Sequence, residues 1–185
     1  MYLLLILALA VLFPAVHLLN GWLFDFATIT NHISLVYLPA FLRLFNLLVL
    51  GPVFGSLTTF LGGLLLTLQF NNESMGLLLL YIACSCTGPL LSLWLFKFTF
   101  KRNLRLRSLR DLTVLVIAYS FFNALLHSTV WLLVDSAETF SMSGALWMFV
   151  GDFNGALLGA YLMKAWVDAV EIRRLRLSGT SKPKN

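Results

Sequence analysis

Residues 37–55 read YLPAFLRLFNLLVLGPVFG, and the fold turns on how this stretch is read. Most of it has the composition of a membrane-embedded helix, yet Arg43 sits near its middle and a Gly51-Pro52 pair follows two turns later. Proline lacks an N–H and fixes its own φ, which suits a short turn between two apolar segments. We therefore read the stretch as the first arm and corner of a tight helical hairpin. The arginine then needs a partner, because a charge at the centre of a membrane helix costs roughly 2.5 to 3.5 kcal/mol on insertion scales.

The rest of the chain supports a membrane setting. Of its 185 residues 59% are hydrophobic and only 11% charged, and the apolar runs repeatedly exceed the roughly 18 residues that cross a hydrocarbon core. Six spans are expected, at about Tyr2 to Phe24, Ile33 to Leu50, Val53 to Leu68, Met75 to Phe96, Leu112 to Leu133 and Ala145 to Val167. The fold class is thus an all-α membrane protein, a compact bundle of about six transmembrane helices. It forms one transmembrane domain over residues 1–170 and a basic cytoplasmic tail over 171–185. The first span lacks a basic leading region and its apolar run is too long for a typical signal peptide, so it reads as a retained helix.

The net charge of +5 does not point to nucleic acid, because the basic residues flank apolar spans, where the positive-inside rule accounts for them. Lys97, Lys101, Arg102, Arg105, Arg107 and Arg110 lie between the fourth and fifth spans, and Arg173, Arg174, Arg176, Lys182 and Lys184 lie in the tail. The opposite loops hold Asp25, Glu73, Asp135 and Glu138 with no lysine or arginine. Both termini are accordingly expected in the cytoplasm. The basic segments would rest on anionic lipid or on a partner protein, each charge contributing about 1 kcal/mol at the surface.

Polar residues inside the spans are the candidate site. Counting about 1.5 Å per residue from the outer ends places Arg43 roughly 15 Å deep and Asp152 roughly 10 Å deep. Asn46 lies about one turn from Arg43, and Asn123 and His127 share a helix face at i, i+4. Arg43, Asn46, Asn123, His127, Asp152 and Asn154 are expected to converge on the non-cytoplasmic side, with Arg43 paired to Asp152. Such a cluster serves either as a ligand or ion site or as structural glue. Gly151, Gly155 and Gly159, four apart, and the ridge Gly51, Gly55 and Gly63 provide close helix packing, either inside the bundle or against a second copy or another partner helix.

No cofactor or metal is expected. Cys84 and Cys86 are one residue apart, which fits neither a zinc pair nor a redox motif, and His17, His32 and His127 lie on separate segments. Intramembrane hydrolysis needs a nucleophile with a base, paired acids or a metal. Ser128 adjoins His127 in sequence, but successive helical residues point in different directions. The chain reads as a non-enzyme.

Two resemblances bear on function. The stretch YLPAFLRLFNLLVLGPVFGSLTTFLGGLL resembles the Pro-Ala motif and following hairpin of MASE1 domains, bacterial integral membrane sensor modules, and LWMFVGDFNGALLGAYLMK resembles their late Trp-x-x-x-Gly-Asp span. Pro39, Ala40, Gly151 and Asp152 occupy the motif positions. The resemblance implies sensing in the bacterial inner membrane through a partner protein. The chain departs from the family in carrying Tyr37-Leu38-Pro39 where Trp-Pro-Pro is usual, and in having no following kinase, cyclase or phosphodiesterase sequence. The glycine-rich hairpin is also similar to substrate-binding S components of energy-coupling-factor vitamin transporters, which would make the cluster a vitamin site. The first span, however, lacks their frequent Ala-x-x-x-Ala docking motif.

Overall fold

In a computed structural model describing residues 2–30, 33–68, 74–106, 108–134 and 142–177, the apolar runs become five helices: α1 (Tyr2–Leu23), α2 (Pro39–Thr67), α3 (Met75–Phe100), α4 (Leu109–Leu133) and α5 (Met142–Leu177). Helices are the economical choice in hydrocarbon, because every backbone group finds its partner within the segment. All five, α5 as far as Val170, are long and apolar enough to cross a membrane. The burial pattern agrees: Leu3, Val11, Trp22, Val53 and Leu162 face outward, while Arg43, Asn46, Thr58, Asn123 and Asp152 are buried. Glu73, Asp135 and Glu138 of the loops expected on the non-cytoplasmic side, His32, Arg107 and the tail residues Lys182 and Lys184 lie outside the described residues.

The helix count differs from the expected six, because the second and third spans are joined in α2. Inside α2, Gly51 leaves the helical region at φ 80°, ψ 174°, a conformation that glycine adopts without a Cβ penalty. The chain folds back there. Asn46 Nδ2 donates to Thr59 Oγ1 at 3.4 Å, across thirteen residues that a straight helix would separate by about 20 Å. A Cβ on Gly55 would lie 2.5 Å from the Asn46 carbonyl oxygen and 2.6 Å from Leu47 Cα, so the two arms touch backbone to backbone. At 1.5 Å per residue the arms are roughly 18 and 24 Å long, both short of a full hydrocarbon core of about 30 Å.

The second span was expected to begin at Ile33, but the chain there forms a small two-stranded antiparallel ribbon, β1 (Thr28–Thr30) with β2 (Ile33–Ser34). The β-branched run Thr28-Ile29-Thr30 favours extended backbone, and Pro39 sets the start of α2 at its first turn. Asn20 on α1 caps that start, its Oδ1 accepting from Leu38 N at 2.7 Å.

α2 packs against α1, α3 and α5, and α4 against α3 and α5. Ala40, Leu44, Phe96, Leu115, Tyr119 and Ala156 form the main core. The α5 glycine stripe is used inside the molecule. A Cβ at Gly151 would overlap the Ser34 carbonyl oxygen, one at Gly155 the Tyr37 carbonyl oxygen, and one at Gly159 the Phe41 ring. Tyr37 N donates to Gly151 O at 3.0 Å along the same seam. The expected ridge Gly51, Gly55 and Gly63 is not one surface. Gly51 is the hairpin corner, Gly55 meets the first arm, and Gly63 faces Ile82 on α3.

At the end bearing the α3–α4 connection, Arg102 grips Asp111 through two nitrogens, at 2.6 and 2.8 Å. Arg105 N donates to the same carboxylate at 3.2 Å, and the Ser108 hydroxyl caps α4 by accepting from Asp111 N at 3.3 Å. The guanidinium also lies 5.4 Å from the Phe96 ring centroid and 5.5 Å from that of Phe100. The hydrogen bonds to Asp111 raise the Arg102 pKa further above its ordinary value.

Candidate functional site

The opposite end of the bundle holds a cavity of about 410 Å³, within the roughly 300 to 1,000 Å³ of typical small-molecule pockets. Its wall takes the C-terminal part of α1, the β-ribbon, both arms of α2, the start of α3, the end of α4 and the start of α5. Every tertiary element thus contributes to one chamber. The walls are rich in rings and aliphatic groups, among them Phe13, Tyr37, Leu78, Tyr81, Ile82 and Trp131.

Four of the six expected cluster residues line it: Arg43, Asn123, His127 and Asp152. The other two do not. Asn46 is buried inside the α2 hairpin on Thr59, and Asn154 turns to the seam, donating to Leu35 O at 2.9 Å. Of the motif residues, Pro39 and Ala40 are buried at the start of α2, Gly151 sits on Ser34, and only Asp152 reaches the chamber.

The expected ion pair between Arg43 and Asp152 is not made, since no nitrogen–oxygen approach within 4.0 Å joins them. Each charge is instead held by α4. Arg43 Nη1 donates to Tyr119 Oη at 3.3 Å, and Asn123 Nδ2 donates to Asp152 Oδ2 at 2.5 Å. Tyr119 and Asn123 are four residues apart, so the two charges hang from successive turns of one helix face. The guanidinium also lies 5.3 Å from the Tyr37 ring centroid and 5.7 Å from that of Phe13, and these contacts offset part of its burial. Arg43 Nε and Asn123 Oδ1 are nevertheless buried without a hydrogen-bond partner. A guanidinium has five N–H donors, and only Tyr119 takes one here among the described residues.

His127 completes the floor. Its Nδ1 is 3.0 Å from Asn123 O, and its ring stacks on Tyr81 at 5.8 Å and 17°. Ser128 Oγ is buried without a partner, so it is not bonded to the adjacent histidine. Cys84 and Cys86 are free thiols, and Cys86 Sγ donates to Ser56 O at 3.5 Å. Among the described residues no group of three or more His, Cys, Asp or Glu is placed to hold a metal.

Sequence reasoning missed Tyr119, Tyr37 and Tyr81. Tyr119 had a readable signal, because it precedes Asn123 and His127 by one and two turns on the same α4 stripe. Tyr37 and Tyr81 had none, since an apolar-flanked tyrosine at a span end is ordinary interfacial composition. The chain matches no known family, curated protein or solved structure. The geometry of the chamber therefore carries the functional reading.

Proposed function

We propose that the chain is a non-catalytic small-molecule receptor of the bacterial inner membrane, a sensory or accessory module of MASE1-like type that acts through a partner protein. The observation carrying this reading is the chamber itself: an apolar and aromatic cavity whose floor carries one buried cation and one buried carboxylate held apart from each other. A pair serving only as structural glue gains most when its charges meet, because a buried charge left unpaired is costly. Occupancy of such a chamber biases the bundle only if one helix arrangement binds the ligand better than another. The α2 hairpin, hinged at Gly51, contributes both arms to the wall and is suited to carry that bias.

The proposal includes orientation. The chamber faces outward and the Arg102–Asp111 end faces the cytoplasm, in keeping with the basic residues of the α3–α4 connection and the tail. Counting the α2 hairpin as two short crossings or as one re-entrant loop leaves both termini on the cytoplasmic side. Reporter fusions after Phe70, Arg107, Ala137 and Asn185 check this, and a periplasmic signal at Arg107 overturns it. Function is tested by purifying the full chain in gentle detergent and identifying copurifying proteins and small molecules by mass spectrometry. A kinase or cyclase recovered with a small molecule supports the receptor. An ATPase-bearing transport module with a bound vitamin replaces it by the S-component reading.

A further inference from the structure

Resting on that receptor reading, we infer that the chamber binds a zwitterion, specifically an α-amino acid with an apolar or aromatic side chain. Its carboxylate sits on Arg43 and its ammonium on Asp152. Two buried charges of opposite sign line one chamber without meeting. Arg43 is 7% exposed and Asp152 2%, and among the described residues Arg43 has one side-chain hydrogen bond, to Tyr119, and Asp152 one, from Asn123. A guanidinium has five N–H donors and a carboxylate about four acceptor sites, so both charges have capacity that the described residues leave unused.

Charge selects the class. Of the charged side chains lining the chamber, the buried Arg43 and Asp152 balance each other and Asp25 is exposed, so the floor is already neutral. A simple anion on Arg43 would leave an excess negative charge beside Asp152 in a poorly hydrated site, where an uncompensated charge is costly. A zwitterion keeps the site neutral and gives each buried charge a charge-assisted hydrogen bond. Spacing agrees with this. The two charges are held from successive turns of α4 by Tyr119 and Asn123 and are more than 4.0 Å apart. A carboxylate and an ammonium on the same carbon can then each take one of them. The Tyr81, Ile82 and Trp131 wall then receives the side chain.

The test uses the full chain in lipid nanodiscs. Each of the twenty amino acids is screened by thermal shift, and the best apolar binder is measured by equilibrium binding of its tritiated form. Competition by phenethylamine, which lacks the carboxylate, and by 3-phenylpropionate, which lacks the ammonium, is compared with competition by L-phenylalanine. Each analogue is expected to compete roughly tenfold or more weakly, since it leaves one buried charge unpartnered. In a folded Asp152→Asn variant the penalty on 3-phenylpropionate shrinks, and in a folded Arg43→Gln variant the penalty on phenethylamine shrinks. Competition by 3-phenylpropionate equal to that by L-phenylalanine overturns the inference in favour of an anion site. The absence of saturable binding by any amino acid also overturns it, while a different small molecule copurifying with the chain leaves the receptor reading standing.

Discussion

The two ends of the bundle use the same chemistry to opposite effect. At one end Arg102 and Asp111 meet through two short hydrogen bonds, with Phe96 and Phe100 beside the guanidinium. At the other, Arg43 and Asp152 are both buried, Phe13 and Tyr37 lie beside the guanidinium, and yet the charges do not touch. Tyr119 and Asn123 hold them on separate turns of α4. Where the chain needs an ion pair for structure it makes one with bidentate geometry. The pair held apart is the one that the proposed ligand would join.

The largest expected effect breaks the chamber end without touching the clasp. Gly155→Leu drives a side chain into the Tyr37 carbonyl and separates α5, with Asp152, from the start of α2. Overpacking against backbone belongs with the rare substitutions that cost more than about 4 kcal/mol, so no monodisperse protein is expected on size-exclusion chromatography. Recovery at wild-type yield would show that the seam is loose.

Next comes Asp111→Ala, which leaves Arg102 and the Arg105 N–H without their acceptor and removes the carboxylate from the first turn of α4. A clear fall in melting temperature and detergent-extracted yield is expected. The double variant Arg43→Met with Asp152→Leu should behave differently. Replacing both buried charges together by apolar side chains is often neutral or stabilising by about 1 to 4 kcal/mol, so the melting temperature should hold or rise while copurifying small molecules are lost. If the double variant destabilises as much as Asp111→Ala, the contrast between the two ends collapses and the two charges are structural groups.

Lys164→Ala should give the smallest effect. Its ammonium is 2.6 Å from Asp168 at i, i+4, but the two side chains are 34% and 53% exposed. Exposed helical pairs of this kind contribute about 0.3 to 0.5 kcal/mol, a shift near the limit of a thermal melt. A larger loss would mean that the α5 pair is shielded by lipid or a partner, and would place it alongside the Arg102 clasp.

Much of the architecture was legible in the chain. Long apolar runs in a sparsely charged sequence leave helices as the economical way to satisfy the backbone in hydrocarbon, and Gly51-Pro52 marks the corner of the α2 hairpin. The depth of Arg43 and Asp152 and the Asn123-His127 stripe likewise marked the floor of the chamber, because polar groups in apolar spans are expensive and turn inward. Three things waited on tertiary structure. Asn154 left the cluster because rotation of α5 about its glycine seam aims it at Leu35. The ribbon before α2 appeared because local β preference prevailed where the helix had not yet begun. The separation of Arg43 from Asp152 depends on α4, whose Tyr119 and Asn123 hold the two charges on successive turns. Composition and periodicity fix what each segment can bury, since those are properties of the segment alone. Which buried groups meet is set by helix rotation and offset, to which segments far apart in the chain contribute jointly.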